Sequence, residues 1–221
     1  MGPTGSGKST FINKACQTEE MVVGKGLESC TAVVASSKQF QLNGRTVVLI
    51  DTPGFDDTNR SDAEILGDIS VYLTAAYEYG VRLTGVLYLH RISDNRVSGL
   101  TRRNMKMFQK MCGPEAMNNV IIVTNMWGGV DGSVGQLRET ELQSNNAFLA
   151  EAMKKGAQMR RHDDTHRSAC DIISELLKND PVTLKIQTEI VYENKNLLDT
   201  EAGNSAKPGV YGANQEQHGE K

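Results

Sequence analysis

The sequence predicts an α/β fold of three layers, a mostly parallel sheet with one antiparallel strand between two layers of helices. Three observations predict it. The short, continuously apolar runs Val47–Ile50, Val86–Leu89 and Val120–Val123 read as strands covered on both faces. Longer runs of helical period separate them, the alternation expected of a parallel sheet. The dipeptide Asn43-Gly44 joins two β-rich runs, Thr31–Leu42 and Arg45–Asp51, and a type I′ hairpin turn there makes one strand antiparallel to its neighbour.

In chain order, residues 1–10 read as a loop, and Lys8 to Cys16 as a short helix with Phe11, Ile12 and Ala15 on one face. Residues 17–30 carry no periodicity and read as a loop. After the hairpin, Ser61 and Glu64 form a capping box ahead of Ile65, Leu66, Ile69, Tyr72, Leu73 and Ala76, an amphipathic helix. Met105, Phe108, Met111 and Cys112 mark a helix stopped by Gly113-Pro114. A helix is expected over 135–155 and a short strand over 157–161. Ala169, Ile172, Ile173, Leu176 and Leu177 make a further helix face, ended by Asn179-Asp180-Pro181. Pro181 can open a last helix with Asp180 as its N-cap and Val182, Ile186, Ile190 and Leu197 as its stripe. Residues 201–221 lack apolar anchors and read as a disordered tail, leaving 1–200 as one domain with its C-terminal helices.

Composition narrows the function classes. A net charge of −3 over 221 residues argues against general nucleic-acid binding, which wants a basic surface. Cysteines at 16, 30, 112 and 170 have no paired spacing, as expected of a reducing intracellular compartment, the cytoplasm. No apolar run approaches the ~20 residues of a transmembrane segment.

The chemistry is concentrated at three places. Gly2-Pro-Thr-Gly-Ser-Gly-Lys-Ser9 satisfies G-x-x-x-x-G-K-[ST], the P-loop of nucleoside triphosphatases. Backbone N–H groups of Gly2, Thr4, Gly5, Ser6 and Gly7 can curl around phosphate, Lys8 can bridge the β- and γ-phosphates, and the Ser9 hydroxyl can ligate Mg²⁺. Thr10 stands where an α-phosphate is held. Asp51-Thr-Pro-Gly54 ends an apolar strand, where Asp51 can reach the Mg²⁺ shell and Gly54 can present its N–H to a γ-phosphate. Thr31, between the irregular segment and the hairpin, can add a hydroxyl to Mg²⁺ when γ-phosphate is present. A lone threonine there would be an ordinary strand residue; the order loop, Thr31, strand, Asn-Gly, strand, Asp-Thr-Pro-Gly favours the metal role and a GTPase topology.

At these residues the chain resembles the septin-like branch of P-loop GTPases, which includes septins, the chloroplast-import Toc GTPases and the immunity-associated (GIMAP) GTPases; it looks nearest to fungal "G domain-containing" proteins. The stretches Gly2–Asn13, Leu49–Leu66 and Gly85–Gly99 carry the resemblance, which covers roughly residues 1–200. It implies binding of GTP and GDP with Mg²⁺, slow hydrolysis, and a homodimer formed through the nucleotide face. The glutamine that orients water in many GTPases would follow Gly54, and Phe55 stands there instead. Arg60, His90, Arg91 and Arg96 are the candidates to help in its place.

Two departures stand out. The base-reading motif [TN]-K-x-D would fall at Thr124-Asn125-Met126-Trp127, so its carboxylate is absent. Asn125 and Trp127 are left as the base-site residues, Trp127 by stacking, with Asp131 as a possible acceptor from the loop. The P-loop also begins one residue after Met1, where an apolar strand of about five or six residues is expected ahead of it. Truncation of that strand is the favoured expectation, a degraded paralogue the other, and with it a pseudo-GTPase serving as a protein-interaction domain. His162-Asp-Asp-Thr-His166 superficially resembles a metal cluster but falls in a loop without a further ligand.

Overall fold

A computed structural model describes residues 1–23, 31, 33–57 and 59–207. The chain runs α1 (Lys8–Cys16), β1 (Ala35–Ser36), β2 (Phe40–Leu42), β3 (Arg45–Val47), β4 (Ile50–Asp51), α2 (Asp62–Glu78), β5 (Val86–Arg91) and α3 (Gly99–Cys112). It continues through β6 (Val120–Asn125), α4 (Gly132–Ser144), α5 (Ala150–Lys154), β7 (Gln158–Arg161), α6 (His166–Leu176), α7 (Lys185–Gln187) and α8 (Glu201–Ala206).

The apolar runs become a parallel sheet ordered β5-β6-β7, with Leu89 opposite Val123 and Val123 opposite Arg160. Strand alternation sends Tyr88 and Ile122 into a core with Ile65, Leu66 and Phe108 of α2 and α3. It sends Leu89, Ile121 and Val123 into a second core with Phe11 of α1 and Ile172 and Ile173 of α6. Helices on both faces of the sheet make the predicted three layers. The hairpin forms as predicted: β2 pairs antiparallel with β3 around Asn43 and Gly44, both at positive φ (51° and 73°). The capping box of α2 is also present, the Ser61 N–H donating to the Glu64 carboxylate over 2.8 Å.

The run Val47–Ile50 is not the fully covered strand that was expected. Val47 ends the hairpin opposite Phe40, Ile50–Asp51 pairs antiparallel with β1, and Val48 between them is exposed. The reason is a cavity of about 490 Å³ between this segment and β5, lined by Val47, Leu49, Leu87, Leu89, Ile173 and Leu176. At its end the Met1 amine donates to Leu87 O over 2.7 Å, and Met1 O accepts from Leu89 N over 2.9 Å. Pro3 forms a parallel bridge to Phe55. Residues 1–3 thus join β5 to the segment after β4.

Three expectations toward the C-terminus are corrected. The helix over 135–155 is two helices, because the Asn145 side chain accepts the Ala147 N–H over 2.8 Å and turns the chain after Ser144. Pro181 opens no helix: the next residue bridges to the α2–β5 connection, Val182 N–H to Leu83 O at 2.7 Å, and α7 is only three residues long. A π-helical turn over Thr188–Tyr192 follows it. The tail predicted from 201 is ordered through Ala206. Thr200 caps α8, and the buried carboxylate of Glu189 accepts the Glu201 N–H over 3.2 Å. Ala202 and Ala206 are buried, and α8 packs on α3. These anchors are small residues, which carry little apolar signal in a sequence. Residues 208–221 of the predicted tail lie outside the described residues. Among the described residues no helix is long and apolar enough to cross a membrane.

Candidate functional site

The P-loop wraps the N-terminus of α1, whose first N–H groups have no partner within the helix and so face the loop's concavity. Gly7 is the left-handed cap (φ 87°), and a β-carbon on it would lie 2.5 Å from Asn125 Nδ2, so the position takes neither a side chain nor an ordinary backbone. Asn125, at the end of β6, closes the contact by donating from Nδ2 to Ser6 O over 3.3 Å. The loop is pinned on its other flank by Thr4 N–H donating to Phe55 O over 2.7 Å and Thr4 Oγ1 to Gly54 O over 3.3 Å. Gly54 is approached so closely that a β-carbon would stand 2.5 Å from Thr4 Oγ1.

Lys8 is buried and folds back over its own loop, donating from Nζ to Gly2 O over 3.2 Å and Pro3 O over 3.0 Å. Burial pushes its pKa down to about 8; attraction to Asp51 opposes the shift and repulsion from Arg91 adds to it. Beside it the three predicted metal ligands converge. The Ser9 hydroxyl donates to Asp51 Oδ2 over 2.6 Å and lies 3.2 Å from the Thr31 hydroxyl. Asp51 is 2% exposed and its second oxygen, Oδ1, has no hydrogen-bond partner among the described residues. A buried carboxylate oxygen left unclaimed beside two hydroxyls costs free energy, and an oxygen-only donor set suits a hard cation such as Mg²⁺. The residues fit the ion. Thr10 stands one residue on in α1, half-buried.

The base-site residues divide. Asn125 is held at the P-loop as described. Trp127 is engaged elsewhere: its Nε1 donates to Thr124 O over 3.1 Å, the Arg161 guanidinium lies 4.1 Å over its ring, and the ring edge abuts Gly135. These contacts take up the indole N–H, one face of the ring and an edge. Met126 instead turns toward the P-loop in a left-handed conformation (φ 62°), its methyl 4.0 Å from the β-carbon position of Gly7. Nothing in residue type signalled Met126. Asp131 is spent as the cap of α4, accepting from Ser133 N and Val134 N. In the His162–His166 segment, His162 is buried against Ser168 and Phe11, and no metal-holding cluster of His, Cys, Asp or Glu occurs among the described residues.

Phe55 is fully buried and cannot touch a water above the loop. Of the four helper candidates, Arg60 pairs with Asp68 over 2.7 Å and Arg96 is exposed. His90 is buried on the α3–α4 side of the sheet, where burial pushes its pKa down to about 4 and keeps it neutral. Arg91 alone lies against the P-loop, its Nη1 3.2 Å from the β-carbon position of Gly5.

Comparison with known proteins places these features in context. The model of the "AIG1 family" matches residues 1–161. The GTPase Der of Rhodopirellula baltica is 27% identical over 134 residues, 61% of this chain and 27% of that protein. The chain spans about a quarter of the length of the curated relatives it matches. The structure of Toc33 from Arabidopsis thaliana in complex with GDP and Mg²⁺ superposes with a TM-score of 0.63 at 16% identity, covering 83% of this chain and 85% of that one. A structure of the chloroplast translocon components atToc33 and psToc159, described by the importance of dimerization for their GTPase activity, gives 0.65 at 13% identity over 83% and 84% of the two chains. At such identities the likeness is one of fold: a P-loop NTPase α/β architecture.

Proposed function

This chain belongs to the AIG1 family, and from that premise we propose that it binds Mg-GTP in the loop Gly2–Ser9, acts as a nucleotide-dependent switch and hydrolyses GTP slowly. The observation that carries the reading is the convergence of Ser9, Thr31 and Asp51 beside Lys8, with one buried Asp51 oxygen unclaimed. Lys8 and the loop's N–H groups, from Gly2 to Thr10, hold the phosphates. Ser9, Thr31 and Asp51, which lie together beside Lys8, are the residues that would hold the ion. Bound Mg²⁺ supplies charge neutralisation on the β- and γ-phosphates. In the reaction a water oxygen forms a bond to the γ-phosphorus and the bond to the β–γ bridging oxygen breaks. GDP leaves with that electron pair, and the water proton ends on the released phosphate. Asn125 holds the P-loop in register while this happens, and Gly54 offers its N–H to the γ-phosphate. Gain and loss of that phosphate order and release the segments around Thr31 and after Gly54.

The test is titration with fluorescent GTP, GDP and ATP analogues, with and without Mg²⁺, on the parent chain and on Lys8→Ala. Mg-dependent, guanine-preferring binding that disappears in Lys8→Ala is expected. A chain that circular dichroism shows to be folded, yet binds none of the nucleotides, would overturn the reading.

A second reading, GTP-dependent assembly through the nucleotide face, is favoured by the burial of Phe55, since no side chain at that position orients water and a second copy can supply the missing group. Sedimentation with GTP against GDP tests it. A single species in both nucleotides would count against assembly.

A further inference from the structure

We propose that the cavity between α3 and α4, on the face of β5 away from the P-loop, binds a small organic anion by its carboxylate or phosphate head. The proposal goes beyond the Mg-GTP reading and does not rest on it.

The place follows from strand alternation. Leu89 and Arg91 of β5 face α1 and the loop Gly2–Ser9, so His90 between them faces α3 and α4. A cavity of about 300 Å³ opens there, and no residue of the P-loop lines it. Room of that size suits a compact molecule. Its floor is the His90 imidazole, 3% exposed. Burial keeps the ring neutral, so it carries one N–H donor and one bare nitrogen. Among the described residues the ring makes no hydrogen bond, and Nδ1 is buried without a partner. A buried polar group left unpaired is costly, and most such groups in folded chains do find a partner. An anionic oxygen in the cavity supplies the acceptor that the imidazole N–H lacks.

The walls supply the charge. Arg138 of α4 braces the loop after β5, donating from Nη1 to Ile92 O over 2.9 Å and from Nη2 to Asn95 Oδ1 over 2.8 Å. Those bonds fix the loop and hold one guanidinium at the cavity wall. Arg102 of α3 and Arg96 of the loop also line the cavity, and neither guanidinium has an acceptor among the described residues. Free guanidinium forks are the groups that match a carboxylate or phosphate head. Two carboxylates share the lining, but Asp94 is already paired with Arg91, its Oδ1 3.0 Å from Nε. Glu141 is exposed. Three guanidinium groups against one unpaired carboxylate leave the cavity positive. Ile92, Leu142 and Phe148 complete the lining with apolar surface, which suits a ligand with a carbon body behind its anionic head.

The experiment follows the His90 ring nitrogens by nuclear magnetic resonance in the full chain carrying isotope-labelled histidine, with His90→Phe to assign the signals. Succinate is the carboxylate probe, glycerol phosphate the phosphate probe, and sodium chloride at matched ionic strength the control. A saturable shift with one probe or both, and none with chloride, is expected; the probe that gives it identifies the head group. Lys8→Ala disables the P-loop and is expected to leave that shift in place, which separates this cavity from the phosphate site. Arg102→Gln changes an exposed side chain and is expected to keep the parent's melting temperature while weakening the probe about tenfold. No saturable shift with either probe, an equal shift with chloride, binding lost in Lys8→Ala, or full affinity in Arg102→Gln each overturns the site.

Discussion

The Ser9 hydroxyl donates to the Asp51 carboxylate over 2.6 Å, joining residues 42 positions apart at the point where α1 meets the end of β4. The bond occupies one carboxylate oxygen and leaves the other buried and unpaired. A lone hydroxyl–carboxylate bond would be a structural tie; with the Thr31 hydroxyl 3.2 Å from Ser9, the group has the composition of a cation site.

The first prediction concerns that carboxylate. Asp51→Asn keeps the shape and an acceptor for Ser9 but removes the charge. Nucleotide binding by the variant is expected to lose its dependence on Mg²⁺, while affinity measured in EDTA stays near the parent's. Isothermal titration with and without Mg²⁺ checks this, and an unchanged Mg²⁺ dependence would remove Asp51 from the metal shell.

The second concerns the tie between β6 and the P-loop. Asn125 Nδ2 bonds Ser6 O, and its Oδ1 accepts the Met126 N–H over 2.7 Å. Asn125→Ala is expected to destabilise the chain by about 1–3 kcal/mol, since the buried Ser6 carbonyl and the Met126 N–H both lose their partner. It should also weaken GDP binding through the loosened loop. Chemical denaturation and GDP titration on the same samples measure both.

How much of this was legible in the sequence depends on the kind of signal each part carries. The parallel sheet, the α2 cap and the Asn43-Gly44 hairpin rest on local periodicity and turn chemistry, and they formed as read. Lys8, Ser9, Thr31 and Asp51 stand out in the sequence because a motif fixes their types and order, and the structure brings Ser9, Thr31 and Asp51 within hydrogen-bond reach. The α8 helix was missed because Ala202, Gly203 and Ala206 pack by being small, and because its anchor, Glu189, is a charged residue whose burial no pattern announces. The placement of Met126 beside the P-loop follows from a left-handed turn that no residue type announces, while the Trp127 ring lies under Arg161.

The third prediction is a pH dependence. Lys8 has a pKa of about 8 in the folded chain against 10.5 for an ordinary lysine, so the unfolded state binds more protons between those values. Stability without nucleotide is therefore expected to rise with pH across that window. Binding of a phosphate anion favours the charged ammonium, so GDP affinity is expected to fall across the same window, the opposite sign. Melting curves with and without GDP from about pH 7 to about pH 10 read both trends. Parallel trends would show that Lys8 does not meet the phosphate.

The fourth concerns base selectivity. No carboxylate stands among residues 124–130, and Asp131 is committed to capping α4. A site that accepts from the guanine 2-amino group with a carboxylate should prefer GDP over IDP by about 1.5–3 kcal/mol. Here the two are expected to bind nearly alike. A strong preference for GDP in competition titrations would show that another acceptor reads the base.

The last concerns the cavity between the β4 segment and β5. Both walls are extended backbone lined by apolar side chains, and Met1 already pairs with Leu87 and Leu89 at one end. An extended segment of about five or six residues has the length to fill it. Fusing such a Val- and Ile-rich stretch ahead of Met1 should bury several side chains at about 1.5–3 kcal/mol each. It also orders that many residues at about 1–2 kcal/mol each, so a net gain of a few kcal/mol is expected. A Gly/Ser extension of equal length orders the same backbone without the apolar burial and is expected to change little. If the apolar fusion raises the melting temperature and increases protection of the Leu87 amide in hydrogen exchange, the cavity accepts a strand. Equal effects of the two fusions, or none, would mean that its walls close on each other in solution.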